Sequence, residues 1–228
     1  MRLYCQDDTY YLSATTLINE YKPFNEKLYF EAMWRKGLDP QWVDRQSRRL
    51  GNMVHNWIEN AASGVSDFFD EAPESLNQRK LRQAVDKFLR DYEVLDSEKV
   101  VINRQYRYAG RLDGKIRRKA DGKLFLGDFK TWNAWKGDNS PLTFAEVKNI
   151  YRDKIYKVAT QTTLYDEVEH VGDLMCILFQ TNGEYYEIPL KRDEKILKWI
   201  ESNSAWIEAA IERALLLDST DIKYIDYD

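Results

Sequence analysis

The stretch that most restricts how this chain can fold is residues 108–131, YAGRLDGKIRRKADGKLFLGDFKT, where two apolar-patterned runs flank an Asp121-Gly122 pair. Such a pair between strand-like runs predicts a two-residue hairpin, because both central residues of a type I′ turn need positive φ. With Asp121 and Gly122 as the loop, Ala120 pairs with Lys123 and Asp113 falls opposite Lys130. Side chains alternate faces along a strand, so Asp113, Asp128 and Lys130 then share one face. Tyr108, Leu112 and Ile116 take the other as the core side. A slip of one residue would scatter the group.

Unpaired carboxylates on the polar side of an otherwise buried hairpin are costly. A divalent cation would offset that cost, since hard cations take carboxylate oxygens. Ordinary ion pairs on a surface hairpin are the other reading. The tripeptide acid-x-Lys decides nothing alone, because it recurs at Asp121, Glu146, Asp193 and Asp221. Asp128 differs in context: it follows the apolar run Leu124-Phe125-Leu126, and a second acid lies on the paired strand.

At 228 residues, 43% of them hydrophobic, the chain can bury a full core as a single domain. No apolar run reaches the roughly eighteen residues of a membrane helix, and the opening Met1-Arg2-Leu3-Tyr4-Cys5-Gln6-Asp7 does not read as a signal peptide. The expectation is a cytoplasmic protein. Cys5 and Cys176 are far apart in sequence, and Cys176 sits inside an apolar run, which predicts a buried thiol rather than a disulfide. With two cysteines and two histidines, no four-cysteine iron–sulfur cluster can be built within one chain, and the usual zinc spacings are absent. The motifs G-x-S-x-G and H-E-x-x-H are missing too, which removes the common serine and zinc hydrolases.

Net charge is −4, yet residues 101–160 hold fourteen Lys or Arg against six Asp or Glu. This local positive excess surrounds the hairpin, where a polyanion would dock. A solvated basic strand at Arg117-Arg118-Lys119 would give the same count.

Weak alternation over residues 1–12 predicts a small hairpin. Ser13 caps a short helix, and a second helical run spans 25–36 before Gly37. Asp39-Pro40 starts a helix to about Ala62, with Trp42, Leu50, Met53, Val54, Trp57 and Ile58 on its apolar stripe. His55 lies just beyond that stripe beside Gly51, and Glu59 lies one turn on. A glycine inside a helix implies close approach by a neighbouring segment or a ligand, whereas a lone histidine there is often only structural. Ser75 caps a helix to about Tyr92, and a strand at 99–103 leads into the central hairpin. Residues 132–141 form a polar loop whose Trp132 and Trp135 could stack on bases or fold back onto the core. Helical patterning over 143–169 puts Gln161 and Tyr165 on one face. Strands at 173–181 and 184–190 follow about Asn182-Gly183, then a long helix at 192–217 and an acidic, peripheral tail.

Taken in order, Gly51-x-x-x-His55, Gly110-Arg111-Leu112-Asp113, Asp128-Phe129-Lys130 and Gln161-x-x-x-Tyr165 resemble the RecB-like branch of the PD-(D/E)XK nuclease superfamily. The opening Ser13-Ala14-Thr15-Thr16 is similar to phage-encoded and mitochondrial genome maintenance exonucleases of that branch. The resemblance spans residues 51–165. It implies an α/β fold: a restriction-endonuclease-like mixed sheet flanked by helices, with an N-terminal helical part (1–92), a sheet core (93–190) and a C-terminal helix and tail (191–228). It also implies that His55, Asp113, Asp128 and the Phe129 backbone carbonyl hold Mg²⁺ or Mn²⁺, that Lys130 orients water and stabilises phosphate charge, and that Gln161 and Tyr165 support the site. Glu59 has an acidic counterpart in some such proteins. Members with an iron–sulfur cluster use four cysteines, so the likeness is to the cluster-free ones.

The implied activity is metal-dependent cleavage of DNA, by an exonuclease at single-stranded or frayed ends in replication, recombination or repair. Arg111, Trp132 and Trp135 are the expected nucleic-acid contacts. A non-cleaving nucleic-acid-binding module on the same fold is the alternative.

Overall fold

The computed structural model describes residues 1–23, 31, 33–35, 37, 39–65, 75–132, 142–217 and 220–225. The chain opens with a hairpin of β1 (Arg2–Gln6) and β2 (Thr9–Ser13). Its turn residues Asp7 and Asp8 both have positive φ, 50° and 57°, which aspartate tolerates better than most residues. Ser13 then caps α1 (Ala14–Tyr21), accepting the Thr16 N–H. Asp39 and Pro40 start α2 (Pro40–Ala62) as expected, and Ser75 with Gln78 forms a capping box on α3 (Leu76–Asp91). The sheet core follows as β3 (Tyr92–Asn103), β4 (Tyr108–Arg118) and β5 (Leu124–Thr131). After α4 (Phe144–Ile150) and α5 (Arg152–Glu169) come β6 (Leu174–Phe179), β7 (Tyr185–Leu190), α6 (Glu194–Ser202), α7 (Ser204–Leu215) and β8 (Asp221–Tyr224).

These strands form one eight-stranded mixed sheet in the order β7-β6-β5-β4-β2-β1-β8, with β3 also on β4. The β5–β6, β2–β4 and β1–β8 pairs are parallel, the rest antiparallel. Helices cover both faces, so the expected class, a mixed sheet flanked by helices, is what the chain builds. On one side Val54 and Ile58 of α2 and Leu81, Val85 and Phe88 of α3 pack on Ile116, Phe125, Phe129 and Phe179. On the other, Leu17, Leu164, Ile196, Ile200, Ile207 and Ile211 cover Leu3, Leu12, Tyr108, Leu112 and Leu126. No described helix is long and apolar enough to cross a membrane.

Several boundaries differ from expectation. Both ends of the chain belong to the sheet, through β1, β2 and β8, so the tail is an edge strand in part. The helix expected at 143–169 breaks at Tyr151, and the one at 192–217 breaks at Asn203. Trp42, placed on the buried stripe, is 53% exposed. The helical run expected at 25–36 falls mostly outside the described residues.

The central hairpin is correctly located but differently closed. Arg118 pairs with Lys123, its N–H donating to the Lys123 carbonyl at 2.8 Å, so residues 119–122 form the loop. Only Gly122 has positive φ, 73°, whereas a two-residue type I′ turn would need it at Asp121 as well. Asp121 instead accepts the Lys123 N–H with its side chain. At the second hairpin, too, Gly183 alone takes positive φ, 93°, while Asn182 accepts the Glu184 N–H.

Candidate metal centre

The longer loop moves the register by two residues. Gly114 pairs with Gly127, so Asp113 falls level with Asp128, not Lys130. The common face expected for Tyr108, Leu112 and Ile116 does not form: Tyr108 and Leu112 pack on the α5 side and Ile116 on the α2–α3 side, so the alternation breaks between Leu112 and Gly114, yet the predicted acids and lysine still converge.

What gathers them is a gap in the sheet. Along one edge β4 pairs with β3 throughout; the other edge is shared by β2, at Tyr108 and Ala109, and β5, at residues 114–117. Between them residues 110–113 have no strand partner on that edge among the described residues. There Asp113 replaces the missing ladder: its Oδ2 accepts the Phe129 N–H at 2.8 Å. At Gly110 a Cβ would come within 2.6 Å of the Tyr165 ring and hydroxyl, so only glycine lets α5 press this close.

From α2, His55 Nε2 reaches the Phe129 carbonyl at 3.1 Å and Asp113 Oδ2 at 3.7 Å. Its Nδ1 meets Glu98 Oε1 at 2.8 Å. Lys130 Nζ stands among the oxygens, 3.4 Å from Asp113 Oδ2, 3.2 Å from the Phe129 carbonyl and 2.5 Å from Asp128 Oδ2. That last contact is a close ion pair with the buried Asp128 carboxylate.

Electrostatics follow from this packing. Burial, with Asp113 beside it, pushes the Asp128 carboxyl up to about 6 despite the Lys130 ammonium. Burial disfavours a charged Lys130, but Asp113 and Asp128 outweigh it and hold the ammonium well above its ordinary range. Burial likewise opposes a charged His55, yet the hydrogen bond to Glu98 and the Asp113 carboxylate raise it overall. Glu98 is lowered: the His55 and Arg111 contacts outweigh its burial. Beside Asp128, burial keeps the Cys176 thiol protonated, so it offers no thiolate nucleophile.

The site forms the foot of an open cleft of about 920 Å³ whose walls include Arg48, Gly51, Arg111, Lys154 and Trp132. Trp132 packs on Tyr151 with ring centres 4.8 Å apart, and Lys154 Nζ lies 5.9 Å and 5.3 Å from the two rings.

No protein-family model matches the chain, and no curated protein matches it in sequence. Solved structures are similar to it in shape. SSO0001 is 15% identical, covering 93% of this chain and 82% of that one, at a TM-score of 0.41. LHK-Exo in complex with dAMP is 11% identical over 89% and 88% of the two chains, at 0.44. A phage-related exonuclease from Haemophilus somnus 129PT is 11% identical over 73% and 82%, at 0.41. At that distance no residue role passes from those chains to this one.

Of the residues singled out in the sequence, His55, Asp113, the Phe129 carbonyl and Lys130 meet directly, and Asp128 joins them through Lys130. Gln161 donates to the Tyr165 hydroxyl at 3.1 Å behind Gly110. Arg111 is half taken up by an ion pair with Glu98 at 3.2 Å. Glu59 lies exposed on the cleft wall, and the carboxylate that meets His55 is Glu98 instead. The Gly51 approach is mild: a Cβ there would touch Thr131 Oγ1 at an ordinary 3.5 Å. Trp135 lies outside the described residues. Glu98 was missed because nothing in Asp96-Ser97-Glu98-Lys99 marks which acid turns inward.

Proposed function

We propose that the chain is a divalent-metal-dependent deoxyribonuclease, an exonuclease that hydrolyses phosphodiester bonds at single-stranded or frayed DNA ends in replication, recombination or repair. The observation that carries this reading is the meeting of the Phe129 carbonyl and Asp113 within 3.7 Å of His55 Nε2, joined to Asp128 through Lys130, beside an open cleft.

The donors fit a hard cation. They are carboxylate and carbonyl oxygens with one imidazole, which suits Mg²⁺ and extends tolerance to Mn²⁺. A positive charge already stands among them as the Lys130 ammonium, paired with Asp113 and with the buried Asp128. His55, Asp113, Asp128 and the Phe129 carbonyl would hold the ion, which when bound activates water and neutralises charge on the phosphate.

The chain's own groups divide the remaining work. Lys130, kept charged by its two carboxylates, is no proton acceptor, so it orients the attacking water and stabilises developing phosphate charge. Tyr165, buried and held by Gln161, fixes the wall behind Asp113. Lys154 faces the phosphates, with Arg48 on the same wall in an ion pair with Asp44, and the Trp132–Tyr151 pair offers a ring for a base to stack on.

The test is incubation of end-labelled linear DNA, single- and double-stranded, alongside closed circles, with Mg²⁺ or Mn²⁺. The expected result is metal-dependent shortening from ends, sparing circles, and lost in Asp128→Ala and Lys130→Ala. Undiminished cleavage by both variants would remove the reading. Cutting of circles would make the enzyme an endonuclease, and binding without any cleavage would make the chain a binding module.

A further inference from the structure

We propose that Glu98 is a positioning residue of this site, fixing the His55 ring so that Nε2 alone is presented to a divalent cation. This rests on the reading of the cleft as a divalent-metal site.

Glu98 lies mid-strand in β3, between Ser97 and Lys99, which pair with Gly114 and Leu112. Its φ is +52°, a left-handed conformation that an L-residue with a long side chain rarely adopts. Such strain persists where surrounding structure holds it, and it concentrates at functional positions. Here it coincides with a carboxylate turned onto a ring of the site.

Both carboxylate oxygens are engaged. Oε1 meets His55 Nδ1 at 2.8 Å and Oε2 accepts from Arg111 at 3.2 Å. An ionised carboxylate only accepts hydrogen bonds, so Nδ1 carries its hydrogen. Nε2 is then the nitrogen left for an ion, and it is the one facing the Phe129 carbonyl and Asp113. A ligating histidine commonly hands its other N–H to a carboxylate, which orients the ring and raises its basicity. Direct ligation by Glu98 would require its contacts with His55 and Arg111 to give way. Arg111, by holding the far oxygen, keeps the carboxylate aimed.

The experiment is Mn²⁺ titration calorimetry on the wild type, Glu98→Ala and Glu98→Gln, with ¹⁵N spectra of the histidine rings at alkaline pH without metal. Only His55 and His170 contribute signals. The expected outcome is roughly 10–100-fold weaker Mn²⁺ binding in the alanine variant. The glutamine variant, whose amide oxygen still accepts from Nδ1, should stay close to wild type. The spectra should show Nδ1–H in the wild type and glutamine variant, and mixed tautomers in alanine.

Wild-type affinity in a folded alanine variant, or Nδ1–H persisting there, would overturn the proposal. Should the alanine variant fail to fold, glutamine decides: near-wild-type affinity supports positioning, and a loss on the order of 100-fold marks Glu98 as a ligand and overturns it. A wild type that binds no Mn²⁺ would remove the metal reading and this proposal together. Wild-type binding with an unaffected alanine variant removes this proposal alone.

Discussion

Asp113 accepts the backbone N–H of Phe129 at 2.8 Å, so a side chain stands in for a ladder carbonyl where β5 leaves β4. This one carboxylate therefore serves both fold and site. Asp113→Ala leaves a buried N–H unpaired and should cost about 1–3 kcal/mol of stability. Asp113→Asn keeps an acceptor oxygen, so it should melt near wild type yet lose metal-dependent cleavage. Thermal melts beside the end-label assay check both halves.

The Asp128 carboxyl, held up at about 6 by burial against an ordinary 3.8, sets a pH dependence with opposite signs for folding and for metal. Between those values the native state keeps a proton that the unfolded chain releases. Its contribution to stability is thus full below the ordinary value and lost as pH rises through about 6. Denaturant unfolding should show the stability of wild type relative to Asp128→Asn falling from about pH 4 to about pH 7. Mn²⁺ affinity should rise over the same span, because the ion needs the ionised carboxylate.

A Cβ at Gly110 would enter the space of Tyr165, so Gly110→Ala should destabilise by about 1–3 kcal/mol through overpacking. In a Tyr165→Ala background the same change should cost little. A double-mutant cycle on melting curves reads the coupling; additive effects would contradict the contact.

How far the sequence discloses this site depends on which periodicities survive error. The hairpin register was expected two residues away because Asp121-Gly122 resembles a two-residue turn, while Asp121 keeps negative φ and its side chain closes a four-residue loop. Asp113, Asp128 and Lys130 still meet despite that error, but period-two spacing does not disclose the break between Leu112 and Gly114 that sends Leu112 and Ile116 to opposite sides of the sheet. Helical spacing puts His55 beside the stripe of α2, but its role as a ligand came only from the family resemblance. Glu98 was not legible, because its aim depends on one backbone angle that no pattern of side chains encodes. The breaks at Tyr151 and Asn203 were hidden for a related reason: apolar spacing continues across them, and neither carries a Gly or Pro.

Trp132 and Lys154 border the same cleft and make a separable prediction about binding. Trp132→Ala should weaken single-stranded DNA binding by about 1–3 kcal/mol, the worth of one base stacked on a ring. Lys154→Ala should lower the salt dependence of binding by roughly 0.7 in log–log slope, the loss of one phosphate contact. Fluorescence anisotropy of a labelled oligonucleotide in Ca²⁺ or EDTA, across salt concentrations, measures both.

The most direct measurement is a crystal of the protein soaked in Mn²⁺ and located by anomalous scattering. The account predicts one peak bonded by His55 Nε2, the Phe129 carbonyl, Asp113 and Asp128, with the Lys130 ammonium moved from between the two carboxylates. A peak on Glu98 and His55 Nδ1, or no peak with Lys130 still pairing both acids, would contradict it.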